Sequence, residues 1–377
     1  MKFMVLIFLL GILGVLSKPD RHLQKRQAAT DKPKWPNATL YYSFSSNLPL
    51  EFLAMFRDAF SYISDRTCIR FRHDEHSRKN YSVRIRHDRK RKECFSTYGM
   101  FERKQTLRFD YNCASFGNAV HELMHALGIY HQMARSDRDQ YLVVDATNHN
   151  FNLESTFNLV PFDYGSVMLY PRSEYMYPRD PEHNYTMGNP RVAFYDMLLL
   201  NKFYECTCDG HHPQLTCQNG GYQNPSNCNE CLCTDGFQGV LCEETKQNED
   251  HYEATVDWQD ASFKVQNMYG PSENTRLKEH YLFVTAPQGK TIEVQLTKLS
   301  GFFCHDACDF NGVEIKYKED RRIVSPLVCC DNDNLWNRTR STTNNPLVIV
   351  MYGEDRGPEL AWRYRYVDSG LTDNIIN

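Results

Sequence analysis

The chain is 377 residues long, carries a formal net charge of −4 and contains 14 cysteines. That slightly acidic balance argues against nucleic-acid binding as the main role, and the length sets an expectation of two or three domains, each able to bury its own core above about 100 residues. Beyond residue 17 no stretch approaches the roughly 18 apolar residues of a membrane span, so the mature protein is expected to lack one.

Lys2, the apolar run Phe3 to Leu16 and the close Val15-Leu-Ser17 read as a signal peptide at 1–17, which directs the protein to secretion. Lys25-Arg26 is a dibasic cleavage site, leaving 18–26 as a short propeptide and a mature chain that starts near Gln27. Behind an export signal the cysteines are expected as disulfides, because the oxidising route outside the cell allows them. Sequons at Asn37, Asn80, Asn184 and Asn337 are candidate glycosylation sites in such a protein.

Leu50 to Ile63 carries apolar residues at helical spacing, so a helix packed on a sheet is expected there. Ser82 to Arg86 and Thr106 to Tyr111 alternate apolar and polar residues as strands do. An edge strand just before the next motif would let an extended peptide add alongside it. Arg66 to Lys92 is a basic segment that includes Arg89-Lys-Arg-Lys92; its first reading is a solvated face, its second a surface for anionic matrix sugars.

The chain then reaches His121-Glu-Leu-Met-His-Ala-Leu-Gly-Ile-Tyr-His131. On an α-helix His121 and His125 stack on one face and aim both imidazoles at one point. Glu122 lies about 100° around the helix, beside a bound metal without being its ligand, where a general base is needed. A straight helix would carry His131 about 9 Å past His125, too far to share one ion. Gly128 sits where the chain must turn, since glycine takes up positive φ without steric cost. His121, His125 and His131 are thus three candidate ligands of one Zn2+, with a fourth position open for water.

These residues resemble the metzincin metalloproteases, and Gln132-Met-Ala-Arg-Ser-Asp-Arg-Asp139 with Ser166-Val-Met-Leu-Tyr170 resembles the astacin family in particular. The resemblance implies a protease domain at 27–206, with Met168 of the Met-turn as a hydrophobic floor under the metal. It makes Tyr170 a further zinc ligand that swings away to hydrogen-bond the developing oxyanion. Zinc would polarise the scissile carbonyl and activate water, with Glu122 as general base. The same resemblance pairs Cys68 with Cys206 and Cys94 with Cys113. Two positions depart from the family: Gln132 replaces a glutamate that receives the mature N-terminus, and Leu169 replaces a histidine. A Gln27 cyclised to pyroglutamate would suit the uncharged Gln132. Asp20 is the one propeptide aspartate able to hold latency, in surroundings unlike the family motif. Arg172, Arg179 and Arg191 follow the Met-turn, where metzincins build the pocket for the residue after the cut, and point to acidic side chains there.

From 207 to 243 the cysteine spacing resembles an epidermal growth factor-like module, which implies Cys208 with Cys228, Cys217 with Cys231 and Cys233 with Cys242. A second zinc site using Cys228-x-x-Cys231 and His211-His212 is the competing reading. Alternating runs from 251 to 367, with Cys308-Asp-Phe-Asn-Gly-Val-Glu-Ile and Ala361-Trp-Arg-Tyr-Arg, resemble a CUB domain, followed by a tail at 368–377. Cys304, Cys308, Cys329 and Cys330 imply two bridges whose pairing is open. The expected fold is therefore an α+β metzincin-type protease domain with a zinc helix, a small disulfide-rich EGF-like module and an all-β CUB-like sandwich. The expected function is a secreted zinc-dependent metalloendopeptidase acting on extracellular or matrix proteins. Its partners would be protein or peptide substrates, with extracellular matrix partners through the C-terminal modules, and no nucleic acid. The rival is a non-catalytic matrix or adhesion protein using those modules.

Overall fold

A computed structural model describes residues 28–29, 33–74, 79–145, 147, 151–154, 156–247, 249–264, 277–331, 335–353 and 358–369. The expected signal peptide and propeptide, Asp20, Gln27 and the tail beyond residue 369 lie outside the described residues.

Strand β1 (Ala28–Ala29) precedes β2 (Thr39–Phe44), helix α1 (Leu50–Ser64), β3 (Arg70–His73), β4 (Ser82–His87) and β5 (Lys104–Phe109). Strands β2 to β5 form a parallel sheet in the order β3-β2-β4-β5. The apolar spacing of α1 makes it one-sided: Phe52, Phe56, Ala59, Phe60 and Ile63 are buried. Its Phe56 and Phe60 rings meet Phe109 and Phe71 at centroid distances of 4.9 and 4.5 Å. Burying each such side chain stabilises the fold by roughly 1.5–3 kcal/mol. Leu40, Val83, Ile85 and Leu107 supply the sheet's side of the same core, together with helix α2 (Phe116–Ala126). The Ser115 hydroxyl starts α2 by accepting the Asn118 N–H at 3.0 Å.

Two expectations need correction here. The strand expected over Thr106 to Tyr111 stops at Phe109, because the Asp110 carboxylate accepts the Asn112 N–H at 3.2 Å and turns the chain into a 3-10 turn from Tyr111. Nor is β5 an open edge, since Phe95 exchanges both backbone hydrogen bonds with Arg108, at 3.0 and 2.8 Å. The segment around Phe95 therefore lies outside β5.

Beyond α2 come β6 (Leu142–Val144), β7 (Thr156–Phe157), β8 (Met176–Pro178) and helix α3 (Phe194–Tyr204). β6 pairs with β8, and β7 pairs antiparallel with β1. Cys68–Cys206 ties the region before β3 to the residues just after α3, and Cys94–Cys113 braces the approach to α2, as the family resemblance implies.

After α3 the chain has little apolar core of its own. Cys208–Cys228, Cys217–Cys231 and Cys233–Cys242 hold two short ladders, β9 (Tyr222–Gln223) on β10 (Cys231–Leu232) and β11 (Phe237–Gln238) on β12 (Glu244–Thr245). With every cysteine bridged, no thiolate is left for a metal at Cys228 and Cys231.

The C-terminal strands are β13 (Asp250–Glu253), β14 (Gln259–Lys264), β15 (Lys278–Thr285), β16 (Lys290–Ser300), β17 (Asn311–Ile315), β18 (Leu327–Val328), β19 (Arg340–Thr342), β20 (Leu347–Gly353) and β21 (Glu359–Asp368). They form two sheets, β13-β15-β20-β17-β18 and β14-β21-β16-β19. Inward residues of both, among them Leu282, Val284, Ile292, Val294, Ile349 and Trp362, share one core. Cys304 pairs with Cys330 and Cys308 with Cys329, which closes the pairing left open by the sequence. Asn37, Asn80 and Asn337 are exposed, and Asn184 is half-buried.

The strand-rich C-terminal region is docked on the N-terminal half by polar contacts. The Asn189 side-chain amide donates to the carbonyls of Ala307 and Cys308 at 2.8 and 3.0 Å. Arg191 reaches Glu279 at 2.8 Å and the fully buried Glu314 at 3.2 Å, with Asp235 3.8 Å away. Those three carboxylates hold the guanidinium protonated despite its burial.

Candidate active site

The site is built on the end of α2. Gly128, at φ +98°, closes the helix: its N–H donates to the His125 carbonyl and the Ile129 N–H to the Met124 carbonyl, both at 2.9 Å. An alanine there would need a strained φ and would press on the Phe203 ring, 3.1 Å from an added Cβ. This turn brings His131 back beside the helix. His131 Nε2 lies 3.0 Å from His125 Nε2 and 3.2 Å from His121 Nε2. Zn–N bonds of about 2.0–2.1 Å at tetrahedral angles put ligand nitrogens about 3.3 Å apart, so the cluster has the spacing zinc requires.

Backbone carbonyls prepare two of the rings. His121 Nδ1 is 2.7 Å from the Val167 oxygen and His125 Nδ1 is 2.8 Å from the Ile129 oxygen, which places the proton on Nδ1 and leaves Nε2 as the ligand. Burial lowers the His121 pKa to about 4, and burial followed by the neighbouring imidazoles takes His125 and His131 well below the ordinary histidine value. All three are therefore neutral near pH 7, the form that binds a metal.

Glu122 is buried, and one of its carboxylate oxygens has no hydrogen-bond partner among the described residues. Without metal, burial raises its pKa to about 8, reinforced by Glu93 and opposed by Arg108 and by the backbone N–H of Ser96; a divalent cation held by the three imidazoles would favour the carboxylate that a general base needs. Tyr170 is 40% exposed, and its ring centroid is 4.4 Å from that of His131. Burial and the Glu122 charge raise its pKa, so the phenol stays protonated. Met168 is fully buried in the main core, and its carbonyl accepts the N–H of Gln132 at 2.8 Å.

Several supporting residues were not anticipated from the sequence. Asp196, on α3, accepts the Ser166 hydroxyl at 2.6 Å and the Val167 N–H at 3.0 Å, fixing the carbonyl that orients His121. Asp163 accepts the Gly165 N–H at 2.9 Å at the start of the same turn. Tyr98 packs 4.7 Å from both His125 and Tyr130, its phenol pushed up to about 12 by burial. An isolated Asp or Tyr gives no periodic signal, so only the folded chain reveals these roles.

Gln132 is buried; its amide donates to the Asp163 carbonyl at 3.2 Å, and its oxygen has no partner among the described residues. Leu169 is buried with Met133, Leu142 and Phe162, an apolar setting that accounts for a side chain without a polar group. Of the three arginines expected at the substrate pocket, Arg191 is ruled out by its burial against Glu279 and Glu314. Arg179 donates to the Asp139 carbonyl at 2.7 Å, and Arg172 pairs with Asp306 at 3.2 Å while remaining exposed.

The family model described as Astacin (peptidase family M12, subfamily A) matches residues 27–205. The chain is 57% identical to zinc metalloproteinase nas-20 of Caenorhabditis elegans over 378 aligned residues, covering 98% of this chain and 96% of that one. It is 40% identical to zinc metalloproteinase nas-17 of the same organism, covering 93% and 83% of the two chains. Among solved structures, high choriolytic enzyme 1, a hatching enzyme zinc-protease from Oryzias latipes, is 28% identical, covers 47% of this chain and 94% of its own, and has a TM-score of 0.41. With a zinc metalloproteinase matched at 57% identity over nearly the whole of both chains, and the family model spanning the three imidazoles that converge at one point, the chain belongs to the astacin family of zinc metallopeptidases.

Proposed function

We propose that the chain is a secreted endopeptidase in which His121, His125 and His131 hold the zinc, Glu122 moves the proton and Tyr170 steadies the oxyanion. Zinc bound there supplies a Lewis acid for the scissile carbonyl and brings the pKa of a water down to about 7. Glu122 takes a proton on its unpartnered carboxylate oxygen and returns it to the leaving amine nitrogen. The Tyr170 hydroxyl donates to the carbonyl oxygen as negative charge develops. Phe95 is paired with Arg108 and the Ser96 N–H is directed at Glu122, so this segment runs beside the site, and an extended substrate aligns along it. The observation that carries this reading is the convergence of three Nε2 atoms beside a buried glutamate with a free oxygen.

The domain plan that goes with it is a signal peptide at 1–17, a propeptide at 18–26, the protease at 27–206, an EGF-like module at 207–243, a CUB-like domain at 251–367 and a tail at 368–377. Seven disulfides, the three-bridge stretch after α3 and the two-sheet sandwich support this plan and an extracellular setting. Substrates are extracellular proteins or peptides, and exposed Asn37, Asn80 and Asn337 accept glycans. Glu122→Gln is expected to leave a folded protein with bound zinc whose casein cleavage falls by at least ~100-fold. Cleavage at the wild-type rate would remove Glu122 from the mechanism.

A further inference from the structure

Away from the cleft, charge is distributed very unevenly. Residues 66–108 hold 14 Lys and Arg against 5 Asp and Glu, a net of +9 in a chain of −4, so the remainder carries −13. The sheet sorts these cations onto one side. Residues at alternate positions facing the helices, Leu40, Val83, Ile85, Leu107 and Phe109, are buried. The other alternation places Arg72, Arg84, Arg86, Lys104 and Arg108 on the outer face, where no strand position holds an acidic residue. Register then groups them: Arg72 pairs with Tyr41 on one side of the sheet, Lys104 with Ser82 on the other, and Arg84 lies between Ser43 and Thr106 one step along. Lys79 sits over the Tyr41 ring at 4.9 Å.

Some of this charge is already used. Arg86 and Arg108 share Asp88, and Arg108 also binds Glu93 at 2.9 Å. Among the described residues the side chains of Arg72, Arg84 and Lys104 form no ion pair, and Lys79, whose backbone N–H donates to the Asp74 carboxylate at 3.0 Å, forms none through its ammonium. With strands about 4.8 Å apart and face positions about 7 Å apart along each strand, they form a cationic band roughly three strand spacings wide.

We infer that this outer face docks a linear sulfated polysaccharide, an inference that rests on the extracellular reading above. A repeating polyanion fits a spread of separate cations, whereas a single phosphate would need them to converge. Nucleic acid fits less well, because Tyr41, the aromatic ring in the band, is half-buried under Lys79 and against Tyr81, so it offers no stacking platform. A lipid surface fits less well too, since the strand positions of this face hold no aliphatic side chain to insert, Tyr41 lies under Lys79 and the Phe95 ring lies against the Arg108 guanidinium at 4.5 Å. The zinc helix packs on the opposite face of the sheet, so the bound polymer leaves the cleft open and tethers the enzyme near its substrates.

Full-length protein is applied to immobilised heparin in a NaCl gradient, alongside Arg72→Thr, Arg84→Thr, Lys104→Thr and the triple variant. Wild type is expected to elute above physiological salt, about 0.15 M, each single variant earlier, and the triple variant at or below that salt with casein cleavage unchanged. Wild-type flow-through at that salt, single variants eluting with wild type, or equal retention on desulfated heparin would overturn the inference. Equally tight binding to single-stranded RNA or to phosphatidylserine vesicles would overturn the polysaccharide assignment. Loss of casein cleavage by the wild-type chain would instead count against the catalytic reading, which this face does not serve.

Discussion

The carboxylate of Asp163 accepts the backbone N–H of Val324, 161 residues further along the chain, at 3.3 Å, while also holding the N–H of Gly165 at 2.9 Å. One buried side chain thus joins the C-terminal sandwich to the turn that carries Met168 and Tyr170. The contact is tight: a Cβ added to Gly165 would stand 2.4 Å from the Val324 Cβ.

Gly165→Ala should therefore destabilise the protein by about 1–3 kcal/mol through overpacking. Val324→Gly in the same chain should recover part of the loss by vacating the space. Thermal unfolding of both single variants and the double variant gives the coupling. Additive effects would mean that the sandwich does not press on the Met-turn.

Tyr170 lies near enough to Glu122 to feel its charge, yet is 40% exposed. Tyr170→Phe removes one hydroxyl and leaves the ring against His131. Removal of one oxyanion donor lowers kcat by about 100-fold or more. We expect that loss with little change in KM and full zinc content. A larger effect on KM than on kcat would assign Tyr170 to substrate binding.

His183 stacks on Tyr164 at 4.1 Å, and burial lowers its pKa to about 3, helped by Lys318 and Arg340. A histidine whose folded pKa is depressed contributes stability that is complete above its unfolded value, about 6.5, and lost as pH falls toward the folded one. Relative to His183→Phe, wild type should lose up to about 1.4 kcal/mol per pH unit below about 6. Urea unfolding at pH 7, 6 and 5 measures this, and a constant difference would show that the imidazole charges freely in the folded state.

The zinc helix was legible because its chemistry is local: His121, Glu122, His125, Gly128 and His131 lie within 11 consecutive residues, and their spacing fixes both the face and the turn. Helix α1 was legible for the same reason, through its apolar stripe. What escaped depends on distant partners. Sequence could not separate Arg191 from Arg172 and Arg179 at the substrate pocket, because its ion pairs, with Glu279 and Glu314, lie 88 and 123 residues away. The Phe95 bridge shows no alternation, since its order comes from Arg108 and the Cys94–Cys113 disulfide. Strand β14 is largely polar and takes its shape from pairing with β21. Four cysteines allow three pairings, so only the fold could join Cys304 to Cys330.

The central claim, that three imidazoles hold a catalytic zinc, is tested most directly by metal analysis of purified full-length protein beside His121→Ala and His131→Ala. One zinc per chain in the wild type, with metal and casein cleavage lost together in both variants, is the predicted result. Stoichiometric zinc in either variant, or cleavage by a chain containing none, would contradict it.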